Sequence, residues 1–555
     1  MQGPLTLPEV TLSDTVFALC GSAVVVYLIF KRYEPISFFV HLPLLAIPPT
    51  LALPLLLQHL TPLQAVFISF SVYYATIVLS VVLYRLSPFH PLAQYPGPFL
   101  LKVSKCVMGW FAFQGRTHTY VHELHQLYGD IVRIGPNEVS IRDTTAIIPL
   151  MGSLGLPRGS NWRARGMYPS IPSLVSITNH TEHAERRKPW NRAFNSAALK
   201  GYEDIIARRA TQLVENIARR GKVDLGTWFS WFSFDFMSDM AFGGGSEMMR
   251  DGDNASIWSQ LESALKWAAL LGHIPWLGAY ARSVPGIGEG LKRIDAFGTQ
   301  RATLRVKNGS LSRDLFHHLN GEDGKAGTQP PLELVVADGT LAVIAGSDTT
   351  TGVLTNLFFC LLRHPEFYMR LQAEVDKFCP LGENALDTKH LGDMVYLNAV
   401  LNEALRLYPA GPSGSQRTTG KGHGGKFVGP YYLPEETNAS IHTWSVHRDA
   451  RNFSMPDKFW PERWLIAEDP VLRAQTPGFV HNASAFLAFS FGPANCVGKN
   501  LALQEMRMLV CLIMQRLTLR LQAGFDPQTY DDSIREVVVC QKGKLPVLVE
   551  RRPGF

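Results

Sequence analysis

The hydrophobic pattern divides the chain at residue 85. Before that point, apolar residues form three long stretches, at residues 12–30, 36–57 and 63–83. Each stretch is close to the length that a helix needs to cross about 30 Å of hydrocarbon. The first and third stretches predict spanning helices, whereas prolines in the second leave open a kinked or re-entrant path. Residues 1–85 are therefore predicted to form a membrane region with about three spans.

The positive charges beside these stretches predict their orientation. Lys31 and Arg32 follow the first stretch, and Arg85 and Lys102 follow the third, whereas the loop at residues 58–62 carries no lysine or arginine. Basic residues accumulate on the cytosolic side of membrane helices. The pattern therefore predicts a lumenal N-terminus and places the rest of the chain in the cytosol.

The remaining chain predicts one large, mainly α-helical domain with a small β-rich part. Residues 86–99 are rich in proline and predict a stiff hinge, so that the domain spans residues 100–555. Leu332–Arg363 predicts one continuous helix, because the apolar pattern is unbroken and stops just before a proline. Residues 131–142 predict a β-hairpin. Residues 154–179 predict a long loop, which in compact domains is often functional.

Composition and charge narrow the class of function. The chain has 46% apolar and 18% charged residues, which suits a globular domain with a membrane portion. Its formal charge of +6 is mild, and no block of basic residues predicts binding to nucleic acid. The seven cysteines form no CxxC pair, which indicates neither a disulfide framework nor a zinc site. Reduced thiols in the cytosol fit this usage.

One cysteine, Cys496, lies in a setting that the other six lack. It belongs to the Gly- and Pro-containing segment Phe489–Gly498, and apolar residues then recur at helical spacing from Ala502 to Leu517. A thiol beside a helix N-terminus and a cation such as Lys499 is expected to have a lowered pKa and to favour the metal-binding thiolate. The alternative interpretation is a buried cysteine that acts as a small apolar side chain.

The segment Phe489–Gly498 resembles the haem-ligand loop of the cytochrome P450 family. Phe489, Gly492, Cys496 and Gly498 occupy the positions of the family motif, whereas Ala494 stands where the family normally has arginine. The resemblance implies that Cys496 is the axial ligand of haem b. It also implies the mainly α-helical fold of that family.

Two further segments resemble those that bind the haem propionates. In the sequence HAERRKPWNRAF, His183 and Arg187 hold the positions of an aromatic residue and an arginine, and histidine replaces the more common tryptophan. Their spacing places both side chains on one helix face. We expect Arg187 to point inward, and Arg186 and Lys188 to point outward to a partner. Arg417 matches the arginine before a strand at the haem edge.

The centre of the predicted long helix is unusually polar. Gly346–Thr351 interrupts an apolar pattern with a glycine and a run of hydroxyl groups, which weakens a helix locally and indicates that something binds there. The segment resembles the oxygen-activation motif of the same family. By that resemblance, Asp348 and Thr349 are the acid–alcohol pair that delivers protons, and Gly346 makes room for oxygen.

A third resemblance concerns charge pairing. Glu403 and Arg406 are three residues apart on a predicted helix, which alone would indicate a surface pair worth under about 1 kcal/mol. Together with Arg463 in the sequence FWPERW, they resemble the ExxR and PER segments of the family. The resemblance implies one buried structural network of these three residues.

The family resemblance implies a monooxygenase at the endoplasmic reticulum membrane. It would insert one oxygen atom from O₂ into a lipophilic small molecule, such as a fungal terpenoid, another secondary metabolite or a xenobiotic. Electrons would come from NADPH through NADPH–cytochrome P450 reductase, with cytochrome b5 as a further candidate partner. The alternatives are a haem-thiolate enzyme that uses or rearranges peroxides, and a non-catalytic membrane protein that binds haem. The intact Asp348–Thr349 pair argues against the first, and Ala494 lends the second some support.

Overall fold

The computed structural model describes residues 10–166, 171–254, 256–281, 289–309, 313–324, 329–380, 382–422 and 424–554. The chain is mainly α-helical with small sheets, as predicted. Three N-terminal helices, α1 (Leu12–Tyr33), α2 (Phe38–Leu56) and α3 (Pro62–Leu86), pack against one another. All three are long and apolar enough to cross a membrane.

The second apolar stretch forms a helix in spite of its four prolines. A proline inside a helix frees the carbonyl four residues before it. Pro48 and Pro49 thereby free the carbonyls of Leu44 and Leu45. The hydroxyl of Tyr73 on α3 donates to the Leu44 carbonyl at 2.6 Å, and the hydroxyl of its neighbour Tyr74 donates to the Leu45 carbonyl at 3.2 Å. Helix α3 thus supplies hydrogen bonds that α2 cannot make internally.

Helices make up most of the remaining chain. In chain order they are α4 (Phe99–Val103), α5 (Cys106–Phe113), α6 (Thr117–Tyr128), α7 (Ile147–Met151), α8 (Asn161–Arg165), α9 (His180–Ala193), α10 (Ser196–Gly201), α11 (Glu203–Arg220), α12 (Leu225–Phe242), α13 (Met248–Asp251), α14 (Ile257–His273), α15 (Pro275–Ala281), α16 (Glu289–Asn308), α17 (Leu315–Leu319), α18 (Leu332–Arg363), α19 (Pro365–Phe378), α20 (Val395–Leu407), α21 (Thr443–His447), α22 (Glu462–Glu468), α23 (Pro470–Ala474), α24 (Lys499–Arg516) and α25 (Pro527–Ser533).

The strands are short and form small sheets. They are β1 (Ile131–Gly135), β2 (Glu138–Ile141), β3 (Lys222–Asp224), β4 (Arg417–Thr418), β5 (Lys426–Val428), β6 (Tyr431–Leu433), β7 (Asn438–Ile441), β8 (Leu517–Leu521), β9 (Arg535–Val537), β10 (Val539–Gln541) and β11 (Pro546–Arg551). One sheet has the order β1-β2-β7-β4, with β2 and β7 parallel, and another has the order β3-β11-β8. The pairs β5–β6 and β9–β10 are hairpins. The hairpin predicted at residues 131–142 is confirmed, because β1 and β2 pair antiparallel.

The long helix α18 is central to the largest apolar core. It runs unbroken from Leu332 to Arg363, as predicted, and packs against α12, α16 and α20. Its C-terminal half is almost continuously buried. Such a helix positions its middle residues rigidly within the domain.

The segment predicted as a loop, residues 154–179, contains short helical elements. Helix α8 and a 3₁₀ turn at Leu174–Ser176 lie within it, while residues 167–170 are outside the described part. Helix α8 packs against α14 and α15. Tertiary contacts therefore give local structure to a segment whose composition indicates none.

Candidate active site

The loop that carries Cys496 is held in a tight conformation. The backbone N–H of Cys496 donates to the carbonyl of Phe489 at 3.0 Å, which closes the loop. Ser490 and Gly492 have φ angles of 61° and 74°. A Cβ at Gly492 would overlap the carbonyl oxygen of Met151, so both the backbone conformation and the close approach require glycine. Phe489 packs on the main apolar core and anchors the start of the loop.

The electrostatics of Cys496 differ from the sequence-based prediction. Burial raises the pKa of the Cys496 thiol, although the backbone N–H groups of Gly498 and Lys499 and the charge of Arg187 act in the opposite direction. The prediction of a lowered pKa is wrong because it counted the helix terminus and omitted the burial. The residue as a whole is exposed, although its thiol is desolvated. A metal ion that coordinated this thiol would favour loss of its proton.

Gly498 ends the loop and precedes α24. A Cβ there would meet only the ring of Phe194, at 3.9 Å, and φ is −83°. Neither the backbone nor the protein neighbours therefore demand glycine at this position. Open space beside a cysteine loop is what a flat ligand would need.

A cavity of about 410 Å³ lies beside this loop and is strongly basic. Its lining includes Arg158, His180, His183, Arg187 and Arg417, together with the loop residues Pro493, Ala494 and Asn495. Among the described residues that line it, none is Asp or Glu. A concentration of buried cations without an acidic partner indicates that an anionic ligand belongs there.

Several polar atoms at this cavity are buried and have no partner among the described residues. They are Nε and Nη2 of Arg417, Nε of Arg158 and Nε2 of His183. Burial lowers the pKa of His183 to about 4, so the ring is neutral near pH 7 and can donate one N–H. Such donors fit a ligand with more than one carboxylate, and the two propionates of haem b meet that requirement. The residues present therefore fit haem b.

Helix α9 carries both His183 and Arg187, but the latter is largely engaged. Asn179 caps the helix by accepting from the backbone N–H of Glu182 at 3.0 Å. Arg187 donates to the carbonyl and the side-chain oxygen of Asn495, each at 2.8 Å, and to Asn191 at 3.2 Å. Three of its five N–H groups are thus used, and two remain for a ligand. Arg187 points inward, and it also ties α9 to the cysteine loop.

The two basic residues on either side of Arg187 point in different directions, although both were predicted to point outward. Lys188 is exposed and pairs with Glu185. Arg186, however, donates to the buried carboxylate of Asp338 on α18 at 3.0 Å. The prediction that Arg186 points outward is therefore wrong. Arg186 pairs with a buried acid on another helix, and the local sequence pattern does not reveal that acid.

Arg158 is a candidate residue that the sequence did not indicate. It lies in the segment between α7 and α8, donates to the carbonyl of Leu174 at 3.0 Å, and donates to the carbonyl of Ala494 at 3.2 Å. Burial, followed by the charges of Arg417 and Arg187, lowers its pKa to about 9. A weak signal was present, since residues 154–179 were predicted to be a functional loop, but nothing singled out this arginine.

The middle of α18 has the polar character that the sequence predicted. Asp348 is 2% exposed, and neither of its carboxylate oxygens has a partner among the described residues. Burial raises the pKa of Asp348 to about 6, against the opposing charge of Lys542. The hydroxyl of Thr349 donates to the Ala345 carbonyl at 2.7 Å. The helix thus holds a buried acid, without a hydrogen-bond partner among the described residues, beside an alcohol that is bonded to the helix's own backbone.

Gly346 lies where α12 packs closely on α18. A Cβ at Gly346 would lie 2.5 Å from Sδ of Met237 on α12, so the glycine permits this packing. That Gly346 makes room for oxygen stays a prediction. Both functions need a missing side chain, so the sequence alone cannot separate them.

Glu403, Arg406 and Arg463 form a fully buried cluster. Arg406 donates to both carboxylate oxygens of Glu403, each at 2.9 Å, and Arg463 donates to one of them at 3.0 Å. All three side chains are 0% exposed. The backbone of Trp460 and the indole of Trp464 also donate to Glu403. The cluster joins α20 to α22 and to the segment before α22.

Three features together indicate a class of protein: a cysteine loop at a helix terminus, a basic cavity beside that loop that suits a dicarboxylate ligand, and a long helix with a polar centre. They define a haem-thiolate protein. Comparison with known proteins agrees, since residues 96–548 match the model of the family described as Cytochrome P450. The chain belongs to the cytochrome P450 family.

Several fungal proteins are similar to this chain. Cytochrome P450 monooxygenase FCK2 of Fusarium pseudograminearum is 35% identical over 80% of this chain and 79% of its own length. Cytochrome P450 67 of Uromyces fabae is 33% identical over 91% of this chain and 94% of its own length. Tryprostatin B 6-hydroxylase of Aspergillus fumigatus is 28% identical over 86% of this chain and 84% of its own length.

The activity follows from the family. The protein is a fungal-type haem-thiolate monooxygenase and binds haem b through a cysteine thiolate. It acts on a lipophilic small molecule and receives electrons from a redox partner. Its three apolar N-terminal helices are compatible with a membrane anchor.

Proposed function

We propose that Cys496 is the axial thiolate and that the basic cavity beside it holds the two haem carboxylates. The observation that carries this proposal is an exposed cysteine in a loop next to buried guanidinium and imidazole donors. Among the described residues, these donors have no partner and the cavity has no lining acid. Gly492 fixes the loop, Phe489 anchors it, and Gly498 leaves space. Arg417 has the most unused donors and is the principal carboxylate ligand.

The protein's own groups then provide orientation and protons. His183 and Arg187 contribute further donors at the carboxylates, and Glu403, Arg406 and Arg463 keep the supporting helices in register. Haem with an axial thiolate, when bound, supplies the activation of O₂ that two electrons and two protons complete, giving a hydroxylated product and water. Asp348 can hold and release a proton near neutral pH, because its pKa lies at about 6. The Thr349 hydroxyl could turn away from the Ala345 carbonyl and take part in proton transfer.

The substrate is proposed to be a lipophilic fungal secondary metabolite, such as a terpenoid, or a xenobiotic. One similar protein is named for hydroxylation of tryprostatin B, which supports a hydroxylation of this general kind. Electrons are proposed to come from NADPH–cytochrome P450 reductase, with cytochrome b5 as an additional donor. Exposed cations such as Lys188 and Lys200 offer a docking surface for an acidic partner.

The membrane arrangement is also a proposal. Residues 1–85 would anchor the protein in the endoplasmic reticulum, residues 86–99 would form a hinge, and residues 100–555 would form the cytosolic catalytic domain. Lys31 and Arg32 at the end of α1 and Arg85 at the end of α3 support a lumenal N-terminus and three spans.

The test compares two cysteine variants by their reduced carbon monoxide spectra. Cys496→Ala should lose the thiolate-type Soret band, whereas Cys106→Ala should keep it, because Cys106 is exposed but lies in α5 outside the site. A band that survives in Cys496→Ala would overturn the ligand assignment. Turnover of a lipophilic substrate panel with NADPH and reductase, compared with an organic peroxide, then tests the source of oxygen. Product with the peroxide but none with NADPH, reductase and O₂ would refute the proposed use of O₂.

A further inference from the structure

The membrane region and the large domain are joined by a hydrogen bond between α2 and α15. His41 lies in the first turn of α2 and Tyr280 in the last turn of α15, and Nδ1 of His41 is hydrogen-bonded to the Tyr280 hydroxyl. Nε2 of the same ring lies 2.6 Å from the carbonyl oxygen of Pro35. A carbonyl can only accept, so in a neutral ring Nε2 carries the hydrogen and Nδ1 accepts from Tyr280. The contact therefore has a defined donor and a defined acceptor.

Aromatic rings surround this hydrogen bond. The rings of Phe38 and Trp276 meet the ring of Tyr280 edge to face, each with ring centroids 5.9 Å apart. The ring of Phe30 on α1 lies 5.3 Å from that of His41. Such pairs stabilise a contact beyond the area that they bury. Helices α1, α2 and α15 thus converge on one hydrogen bond in an apolar setting, where its electrostatic strength is greater than in water.

The contact lies at the cytosolic boundary of the proposed membrane region. Lys31 and Arg32 are in the last turn of α1, and a short loop leads from there to the first turn of α2. Lys421 of the large domain donates to the Arg32 carbonyl at 3.3 Å, so the domain also touches the end of α1. Trp276 beside Tyr280 is 47% exposed. Exposed tryptophan is typical of the interface between lipid and water.

Helix α15 packs on the helices that enclose a second, narrower cavity. Its lining includes Arg165 of α8, His273 of α14 and Gln416, and α15 packs against both α8 and α14. Gln416 is next in sequence to Arg417, which lines the basic cavity. The second cavity has a volume of about 40 Å³, which is room for about three water molecules. A lipophilic molecule can pass this way only if the helices around the cavity move.

We propose that the His41–Tyr280 contact is a latch by which membrane helix α2 holds α15 closed over this cavity, and that lipophilic ligands enter from the bilayer when it opens. The inference rests on the proposed membrane arrangement and on the proposed haem site beside Cys496. His41 and Tyr280 are positioning residues, since neither is among the described residues that line the two cavities. The alternative is a permanent anchor that does not open during ligand entry.

The test measures how fast azoles reach the haem iron of the full-length protein in lipid nanodiscs. Clotrimazole partitions into the bilayer, whereas imidazole arrives from water, and both shift the Soret band when they bind the iron. Tyr280→Phe removes only the hydroxyl, and His41→Phe removes the acceptor and keeps a ring. Each variant should raise both the association and the dissociation rate of clotrimazole about 2- to 10-fold, the factor for one lost hydrogen bond. Its Kd should stay within about twofold, because the latch is closed both before and after binding.

The controls separate a latch from a general loosening of the protein. Imidazole rates should stay within about twofold of wild type in both variants. Tyr33→Phe is the matched control, since Tyr33 is 74% exposed at the end of α1, and it should change neither rate. The double variant should be no faster than the faster single variant, because both changes remove the same hydrogen bond. Unchanged clotrimazole rates in Tyr280→Phe, or an equal acceleration of imidazole, would overturn the proposal.

A second measurement does not depend on ligand entry. Amide hydrogen exchange in α15 should be about 2- to 10-fold faster in Tyr280→Phe than in wild type, whereas exchange in α18 should not change. Unchanged exchange in α15 would overturn the latch, and this result decides the question if His41→Phe does not insert into the membrane. A normal thiolate-type carbon monoxide band in Tyr280→Phe shows that the Cys496 assignment stands even if the latch fails.

Discussion

Replacing Glu403 tests how much a buried charge contributes to the stability of this fold. It accepts five hydrogen bonds: two from Arg406, one from Arg463, one from the Trp460 backbone and one from the Trp464 indole. Burial raises the pKa of Glu403, but the two guanidinium groups outweigh this and hold it below its ordinary value. Replacement by Gln keeps the shape and removes the charge, which leaves two cations buried without an anion.

The expected cost is large because the cluster is 0% exposed. Removing one partner of a buried ion pair costs about 3–5 kcal/mol, and the five hydrogen bonds act as a unit and do not add independently. We therefore expect Glu403→Gln to lower the free energy of unfolding by about 3–5 kcal/mol, and Glu403→Ala by at least as much. The stability that Glu403 contributes is complete above the pKa of an unfolded Glu. It is lost as the pH falls through the lowered folded value.

The assay is equilibrium urea unfolding of the haem-loaded protein, followed by tryptophan fluorescence and by haem absorbance. Glu185→Gln is the matched control, because Glu185 and Lys188 also form an i,i+3 pair but both side chains are 63% exposed. This control should change stability by less than about 1 kcal/mol. If Glu403→Gln lowers the free energy of unfolding no more than Glu185→Gln does, the cluster stabilises the fold through packing and not through charge. The reasoning would then be refuted.

Two further predictions concern the proton-handling helix and the anchor. Burial raises the pKa of Asp348 to about 6, so wild type loses stability as the pH rises through that value. Between pH 4 and pH 7.5, the free energy of unfolding of Asp348→Asn should rise relative to that of wild type by up to about 3 kcal/mol in the urea assay. A difference between the two that does not change with pH would contradict this. A glycosylation tag placed before Leu12 should be modified in microsomes and one placed after Phe555 should not, and modification at both ends would require an even number of spans.

Local patterns in the sequence predicted the features that depend on neighbours along the chain. The end of α18 follows from the proline after it, and the β1–β2 hairpin follows from its turn residues. The spacing of the cysteine loop likewise reflects a local need for Gly492, whose φ angle of 74° favours glycine. These predictions succeeded because the physical cause lies within a few residues.

Predictions from the sequence were wrong or incomplete where a residue far away in the chain determines the contacts or the pKa of a side chain. Arg186 is bound by Asp338, which is 152 residues away. The pKa of Cys496 depends on burial by the whole domain. Arg158 was missed because only the folded chain brings it to Ala494. Each miss involves a contact that no local spacing encodes.

The tyrosine contacts between α2 and α3 have a consequence for biosynthesis. The carbonyls of Leu44 and Leu45, freed by prolines, accept hydrogen bonds from Tyr73 and Tyr74, which are translated later. An unsatisfied carbonyl in hydrocarbon costs several kcal/mol, so α2 alone is a poor candidate for release into lipid. The second segment should therefore wait at the translocon until the third has emerged, and the two should leave it together as a hairpin.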